Sequence, residues 1–276
     1  MDQQAEAAET TAFVTAALTF FVDNGEKPVN YVTENGLERG GEYREHVLDL
    51  HDGRPVRDSV TLDREGFELL QHNTAVVDFF DTDEVERVYN PEIEALVKEA
   101  TGATRVFVFD HTVRVENEDV RNEKQVREPV QFVHNDYTEQ SGPQRVRDLL
   151  PPDEAEDLLS RRFAIINIWR SIAGTVQTTP LAVCDAQTIG PEQLITAERR
   201  TKDRVGHTQA MTYSEDNRWY YFSDMRRDEA MLLKTYESDP EGHGGVSGHS
   251  AFTNPDAPAD AAPRQSIETR VFAFFE

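Results

Sequence analysis

The chain has 276 residues, enough for one large β domain or two small ones, with a sizeable core either way. Its formal net charge is -24, and the 52 acidic residues run along the whole length. That argues against nucleic acid and anionic membrane surfaces as partners, because phosphate binding needs clustered Lys and Arg. The single cysteine, Cys184, excludes an internal disulfide and a cysteine-based zinc site.

Residues 1–11 read as a disordered tail. The segment from Ala12 to Val22 is β-prone and runs into the turn signal Asn24-Gly25. Residues 25–90 mix short strand-like runs with polar turns; Thr74 to Phe80 is the strongest of the runs and reads either as a strand or as a buried turn. Asn90 caps a helix with Pro91 in its first position, Ile93, Leu96 and Val97 as an apolar stripe, and Gly102 as its stop. From Arg105 to Asp110 the pattern turns β, and Pro129 to Asp136 reads as a second strand. Residues 141–162 have helical spacing. Strands are expected from Phe163 to Trp169, His207 to Tyr213, Arg218 to Ser223, Ala230 to Tyr236 and Arg264 to Phe275, with a short helix from Pro191 to Arg200. Residues 239–263 form a long loop rich in glycine and proline, the kind that serves as a lid or binding loop. The chain therefore reads as mainly β with flanking helices. It has no repeat and no linker that would divide residues 1–276 into separate domains.

The N-terminus lacks the positive start of a signal peptide. The apolar stretch up to Val22 is too short to span a bilayer. A cytoplasmic protein is expected, with a homodimer as one possible state. Lysine is scarce, limited to Lys27, Lys98, Lys124, Lys202 and Lys234. An acidic, lysine-poor surface suits a high-salt cytoplasm, where screening removes self-repulsion; an Arg-rich protein from a GC-rich genome is the alternative. Cys184 lies in the apolar run Pro180 to Cys184 and reads as a buried structural thiol.

His134 and Asp136 are two residues apart, and on a strand that spacing points both to one face. Two imidazoles and a carboxylate can hold Fe(II) on one side and leave the other open. A further imidazole must come from the other histidines. His249 is chosen over His207 and His243 because Arg264 and Ser266 follow it fifteen residues on, at the head of an apolar strand. Arg264 and Ser266 also share a face, where a guanidinium and a hydroxyl can grip a carboxylate. That pattern fits a co-substrate acid, 2-oxoglutarate, docking against the metal. Taken singly, each piece has a bland reading: a surface histidine beside a turn Asp, and a strand-edge arginine.

Several segments resemble one family in order along most of the chain from about residue 75. They are Arg105-Val-Phe-Val-Phe-Asp-His111, Val133-His-Asn-Asp-Tyr137, Asn167-Ile-Trp-Arg170, Pro180-Leu-Ala-Val-Cys-Asp-Ala186, Trp219-Tyr-Tyr-Phe-Ser-Asp-Met-Arg226, Asp228-Glu-Ala-Met-Leu-Leu-Lys234, His249-Ser-Ala-Phe252 and Arg264-Gln-Ser-Ile-Glu-Thr-Arg270. The sequence resembles the iron(II)/2-oxoglutarate-dependent oxygenases that include fungal gibberellin desaturase-like enzymes, the cephamycin methoxylation pathway protein and fungal meroterpenoid oxygenases. The resemblance implies a double-stranded β-helix (jelly-roll) core over residues 105–276, with 12–104 as an N-terminal extension packing on it. It implies His134, Asp136 and His249 as iron ligands, and Arg264 and Ser266 on the distal carboxylate of 2-oxoglutarate. It departs from the pattern at Ser171, where a proline is expected, which touches loop shape more than chemistry.

Arg170, Lys234 and Tyr213 are further candidates for the co-substrate site, with a structural ion pair or an outward orientation as the competing reading for the first two. Asn167 and Arg170 fall on opposite faces of a regular strand. Arg270 is a second anchor on the face of Arg264 if no bulge intervenes. Tyr137 and Trp219 are candidate pocket aromatics, though core packing suits Trp219 better. The activity implied is hydroxylation, desaturation or epoxidation of a small secondary-metabolite-like substrate with O2, releasing succinate and CO2. Asp136 occupies the position a halide would need, which disfavours halogenation. The rival readings are a non-catalytic metal-binding jelly-roll accessory protein, a metal-dependent isomerase and a zinc hydrolase.

Overall fold

The computed structural model describes residues 12–33, 36–202 and 205–276. The tail expected over residues 1–11 lies outside the described residues. The strands are β1 (Phe13–Val22), β2 (Val29–Thr33), β3 (Gly36–Arg39), β4 (Glu42–Asp52), β5 (Phe67–Gln71), β6 (Arg105–Val115), β7 (His134–Asn135) and β8 (Phe163–Ser171). They continue as β9 (Leu181–Cys184), β10 (Leu194–Arg200), β11 (Val205–Met211), β12 (Trp219–Tyr221), β13 (Glu229–Glu237), β14 (His249–Ala251) and β15 (Gln265–Phe274). They form two facing sheets of a double-stranded β-helix. The minor sheet runs β5-β13-β8-β15-β6, and the major sheet β1-β4-β12-β9-β14-β7-β11-β10-β2-β3.

Strand alternation sorts the core into layers. On the inner face, Phe67, Trp169, Met231 and Leu233 of the minor sheet meet Leu181 and Val183 of the major sheet. On the outer face of the minor sheet, Ile166, Ile168, Leu232, Ile267 and Val271 pack under Ile93, Leu96 and Val97 of the helix Asn90–Thr101. The outer face of the major sheet, including Ala182 and Cys184, is covered by Val14, Ala16, Leu18 and Phe20 of β1. Cys184 is free and buried. The aromatic C-terminal run is core: Phe272 and Phe274 pack with the helices Ser141–Leu149 and Pro152–Leu159. No helix of the described residues is long and apolar enough to cross a membrane.

Three local expectations are corrected, and one open alternative is resolved. Asn90 does not start its helix. Asp81 caps it, accepting from the Asp83 and Glu84 N–H groups, and the helix passes through a π segment, Val85–Tyr89, before Asn90. The wider turn there accommodates Pro91, which has no N–H to give and would otherwise clash with the preceding turn. Of the two readings of Thr74 to Phe80, the structure has the irregular turn, with Val76 and Phe79 buried and the N–H groups at Ala75, Val77 and Asp78 taken by Glu92 and Glu84. Pro191 to Arg200 is a 3-10 turn, Pro191–Gln193, followed by β10, which is claimed by pairing to β11 and β2. The strand expected from Pro129 narrows to β7; Val130 and Val133 instead make single backbone bonds to Ala251, Thr19 and Met211.

Candidate active site

β7 and β14 are adjacent, and His134 pairs directly with His249. Direct partners share a face, so the two rings meet, 4.4 Å between centroids. Asp136 leaves β7 on the same face. One ligand atom from each of His134, Asp136 and His249 lies within 4.8 Å of the others. Each imidazole is turned by a carbonyl: His134 Nδ1 donates to Phe132 O at 2.9 Å and His249 Nδ1 to Ser247 O at 3.2 Å. Those bonds leave both Nε2 lone pairs free to face the cluster. His249 Nε2 is buried without a hydrogen-bond partner. An orphaned imidazole nitrogen beside a second imidazole and a carboxylate is a donor set that fits a divalent cation such as Fe(II).

The carboxylate is supported from below. Asp136 Oδ2 accepts from Asn167 Nδ2 at 2.7 Å and from Arg270 Nε at 2.9 Å. Burial pushes its acidity toward the protonated form, but Arg270 and the two imidazoles outweigh that and hold it well below the usual carboxylate range. Burial, reinforced by His249, pulls His134 down to about 3 against the opposing pull of Asp136. Both groups are therefore held in their ligating, unprotonated forms at neutral pH.

Arg264 lies on the inner side of the minor sheet, 3 % exposed. Its Nε donates to Ser266 Oγ at 3.0 Å, its Nη1 to Thr179 O at 2.8 Å, and the guanidinium lies 4.8 Å from the Trp169 ring centroid. Among the described residues no carboxylate lies within 4.0 Å of it. Desolvation, with repulsion from Arg114, pulls its pKa down to about 9 despite Glu268 and Glu116. Glu116 accepts from the Arg264 backbone N–H at 2.8 Å, and among the described residues no carboxylate bonds the guanidinium itself.

The family described as "Oxidoreductase/YMDC permease-like domain" matches residues 18–274. A "Fe(II)/2-oxoglutarate-dependent dioxygenase nvfI" of Aspergillus novofumigatus is 35 % identical over 239 residues, covering 83 % of this chain and 83 % of that one. A "Hydroxylase/desaturase CTB9" of Cercospora beticola is 32 % identical over 255 residues, covering 85 % of this chain and 78 % of its own. The solved "iron and alpha-ketoglutarate-dependent endoperoxidase NvfI" superposes with a TM-score of 0.84 at 30 % identity, over 95 % of this chain and 98 % of that one. The chain belongs to the Fe(II)/2-oxoglutarate-dependent oxygenase family. It is an oxidoreductase, with Fe(II) and the co-substrate 2-oxoglutarate as its cofactors and a small molecule and O2 as its reactants.

Strand parity decides the other candidates of this oxygenase. Asn167, on the inner face of β8, reaches Asp136, whereas Arg170 points out of the sheet's other face. There Arg170 Nη2 bonds the His72 ring nitrogen and carbonyl, and the guanidinium lies over Tyr89. Lys234 is also on the outer face, where Nζ bonds Asp63, Glu237 and the His243 carbonyl beside a cavity of about 210 Å³. Tyr213 has the parity of Met211, and its ring stacks on His46 at 3.9 Å. The structure thus places Arg170, Lys234 and Tyr213 away from the cluster's face. Trp219 is core, edge-on to Phe20. Tyr137 packs against Phe109. Ser171, at the position where a proline is expected, donates Oγ to Gly174 O and closes the turn after β8.

The inner face also carries residues that motif spacing does not single out. β15 places Ser266, Glu268 and Arg270 opposite Ser171, Trp169 and Asn167 of β8 and opposite Arg114, Thr112 and Asp110 of β6. The bulge in the β15–β6 pairing falls after Arg270, so Arg264 and Arg270 share a face. Arg270 binds Asp110, Asp136 and Glu268 together. The available signal is alternation: charges at every second position inside apolar strands mark a polar inner face.

Proposed function

We propose that His134, Asp136 and His249 hold the Fe(II) of this oxygenase and that Arg264 and Ser266 bind the distal carboxylate of 2-oxoglutarate. The observation carrying this is a pair of groups on the facing inner sides of the two sheets: the unpartnered His249 Nε2 and the buried Arg264 guanidinium, which has no carboxylate against it among the described residues. When bound, Fe(II) with 2-oxoglutarate supplies O2 activation coupled to oxidative decarboxylation of the co-substrate. The chain's own residues do the positioning. The Phe132 and Ser247 carbonyls fix the imidazole tautomers. Asn167 and Arg270 fix the Asp136 rotamer and leave Oδ1 toward the cluster. Arg264 meets an incoming carboxylate with donors already desolvated, so binding recovers the cost of burying the charge. Trp169 and Val183 keep bulk water from that end of the pocket.

Because Asp136 fills the carboxylate position, the reaction is hydroxylation, desaturation or epoxidation of a small secondary-metabolite-like substrate rather than halogenation. The test is Fe(II)- and O2-dependent conversion of 2-oxoglutarate to succinate. Turnover in the wild type and its loss in Asp136→Ala and Arg264→Ala support the assignment. Full turnover in either variant removes that residue from it.

A further inference from the structure

A second set of arginines faces the cluster from the other end of the pocket, and the strand registers put it there. His134 pairs with Ala210, and Ala210 with Ile195. Four positions along β10, on the same face, Arg199 pairs with Gly206 and across the sheet with Asn30, which in turn pairs with Arg39. Arg199, Asn30 and Arg39 therefore form one row on the face of the major sheet that carries His134 and His249. Arg39 lies 3.9 Å from the Phe132 ring centroid and 5.4 Å from that of Tyr43, and Phe132 lies 5.1 Å from the His134 ring. Aromatic rings thus line the path from the row to the cluster. From the minor sheet Arg114 faces the same space, bridged through its backbone to Arg127.

Many arginines of this acidic chain pair with a carboxylate, as at Arg54, Arg147, Arg162 and Arg218, and others, such as Arg121 and Arg227, are held by backbone carbonyls. At this mouth, among the described residues, none of Arg39, Arg114, Arg127 and Arg199 has a carboxylate within 4.0 Å. The pocket's own Asp110, Asp136 and Glu268 are engaged by Arg270. Partial desolvation holds Arg39, Arg114 and Arg199 below the ordinary arginine value, with Arg39 and Arg127 exposed at the rim and Arg114 and Arg199 half-buried. Two buried polar atoms beside the row also lack partners: the side-chain oxygen of Asn30, a residue 5 % exposed, and the Tyr43 hydroxyl. Unpaired cations beside unsatisfied buried polar groups describe a site built for a ligand.

We propose that the Arg39–Asn30–Arg199 row recognises a carboxylate on the substrate, so that this oxygenase acts on an acid whose anionic end is held there while its apolar body lies along Phe132 toward the cluster. The proposal rests on the oxygenase reading and names its substrate class. The Tyr43 hydroxyl is a further donor to the carboxylate, and the Asn30 oxygen accepts from a hydroxyl or N–H next to it. A singly charged carboxylate fits better than a phosphate dianion, which would meet the nearby Asp110, Asp136 and Glu268 at greater cost. The row is distinct from the co-substrate anchor, since Arg264 lies on the minor sheet beside Thr179 and Ser266.

The test uses the Fe(II)- and 2-oxoglutarate-loaded protein without oxygen. Calorimetry compares a naphthalene carboxylate with the corresponding primary amide, which has the same shape and no charge. The wild type is expected to bind the acid about tenfold or more tightly than the amide. Arg39→Gln combined with Arg199→Gln should abolish that preference, with the visible absorption of the iron–2-oxoglutarate complex retained as a check on fold and co-substrate binding. Arg199→Lys should keep part of it. Equal affinity for acid and amide in the wild type, or a preference that survives the double Gln change, overturns the proposal. If the wild type shows no iron–2-oxoglutarate absorption, the oxygenase reading fails, while the acid-against-amide comparison still decides the anion site.

Discussion

Replacing Arg264 by Met separates a binding arginine from a structural one. The guanidinium is buried, has no carboxylate within 4.0 Å among the described residues, and titrates at about 9 rather than 12.5. That difference corresponds to a cost on the order of 5 kcal/mol for holding the charge. Met keeps the apolar stem over Trp169 and removes that cost. It also strands the Thr179 carbonyl and Ser266 hydroxyl, at roughly 1–3 kcal/mol each. The two effects nearly offset. At about 2–4 °C per kcal/mol for a chain of this size, the melting temperature should move only a few degrees in either direction. Co-substrate binding should not be spared. Truncating one side of a buried charge pair costs about 2–5 kcal/mol, so the Kd for 2-oxoglutarate should rise by roughly 30-fold to several-thousand-fold. Calorimetric titration of 2-oxoglutarate into the Fe(II)-loaded variant, beside a thermal melt, reads both quantities. An unchanged Kd, or a weakened Kd accompanied by collapse of the melt, would refute the reasoning.

Three further outcomes follow from the same geometry. Asn167→Leu, which removes the 2.7 Å bond to Asp136, should weaken Fe(II) binding about 10- to 100-fold, whereas Arg170→Gln on the opposite face should leave iron and 2-oxoglutarate affinities within about twofold; equilibrium metal titration distinguishes them, and equal effects would contradict the assignment of faces. The folded-state His134 titrates at about 3, below its ordinary 6.5, so the unfolded chain binds more protons throughout that window and stability falls as pH drops through it. Metal-free protein should lose up to about 2 kcal/mol between pH 6.5 and about pH 5, a slope that His134→Gln flattens; denaturant melts that show no difference between the two proteins would remove His134 as its source. With a net charge of -24, raising KCl from about 0.1 M to about 2 M should raise the melting temperature by several degrees as the Debye length shrinks from about 10 Å to below about 3 Å, and a flat response would end the high-salt reading.

Much of the fold was legible because strand alternation and turn residues are local signals. His134 and Asp136, and Arg264 and Ser266, could be assigned to shared faces from spacing alone. The same parity rule separates Asn167 from Arg170, and it also turns Lys234 and Tyr213 away from the cluster once their strands are placed. What spacing does not carry is register between distant strands. Nothing local says that His249 pairs with His134, or that Arg270 comes opposite Asn167 and so reaches Asp136. Residues 191–200 begin with a proline and two helix-tolerant residues, yet pairing with β11 and β2 makes most of them a strand, an instance of tertiary context overriding local preference. Asn90-Pro91 has the local form of a helix start, but the π turn that admits the proline mid-helix depends on upstream packing of Val85 and Tyr89.

The most direct test of the central claim is anaerobic titration of metal-free protein with Fe(II) and then 2-oxoglutarate, followed by visible absorption. The account predicts a charge-transfer band that saturates at one 2-oxoglutarate per chain, disappears in His249→Ala, and needs far more 2-oxoglutarate in Arg264→Met. Iron bound without any band on adding 2-oxoglutarate, or an undiminished band in His249→Ala, would contradict it.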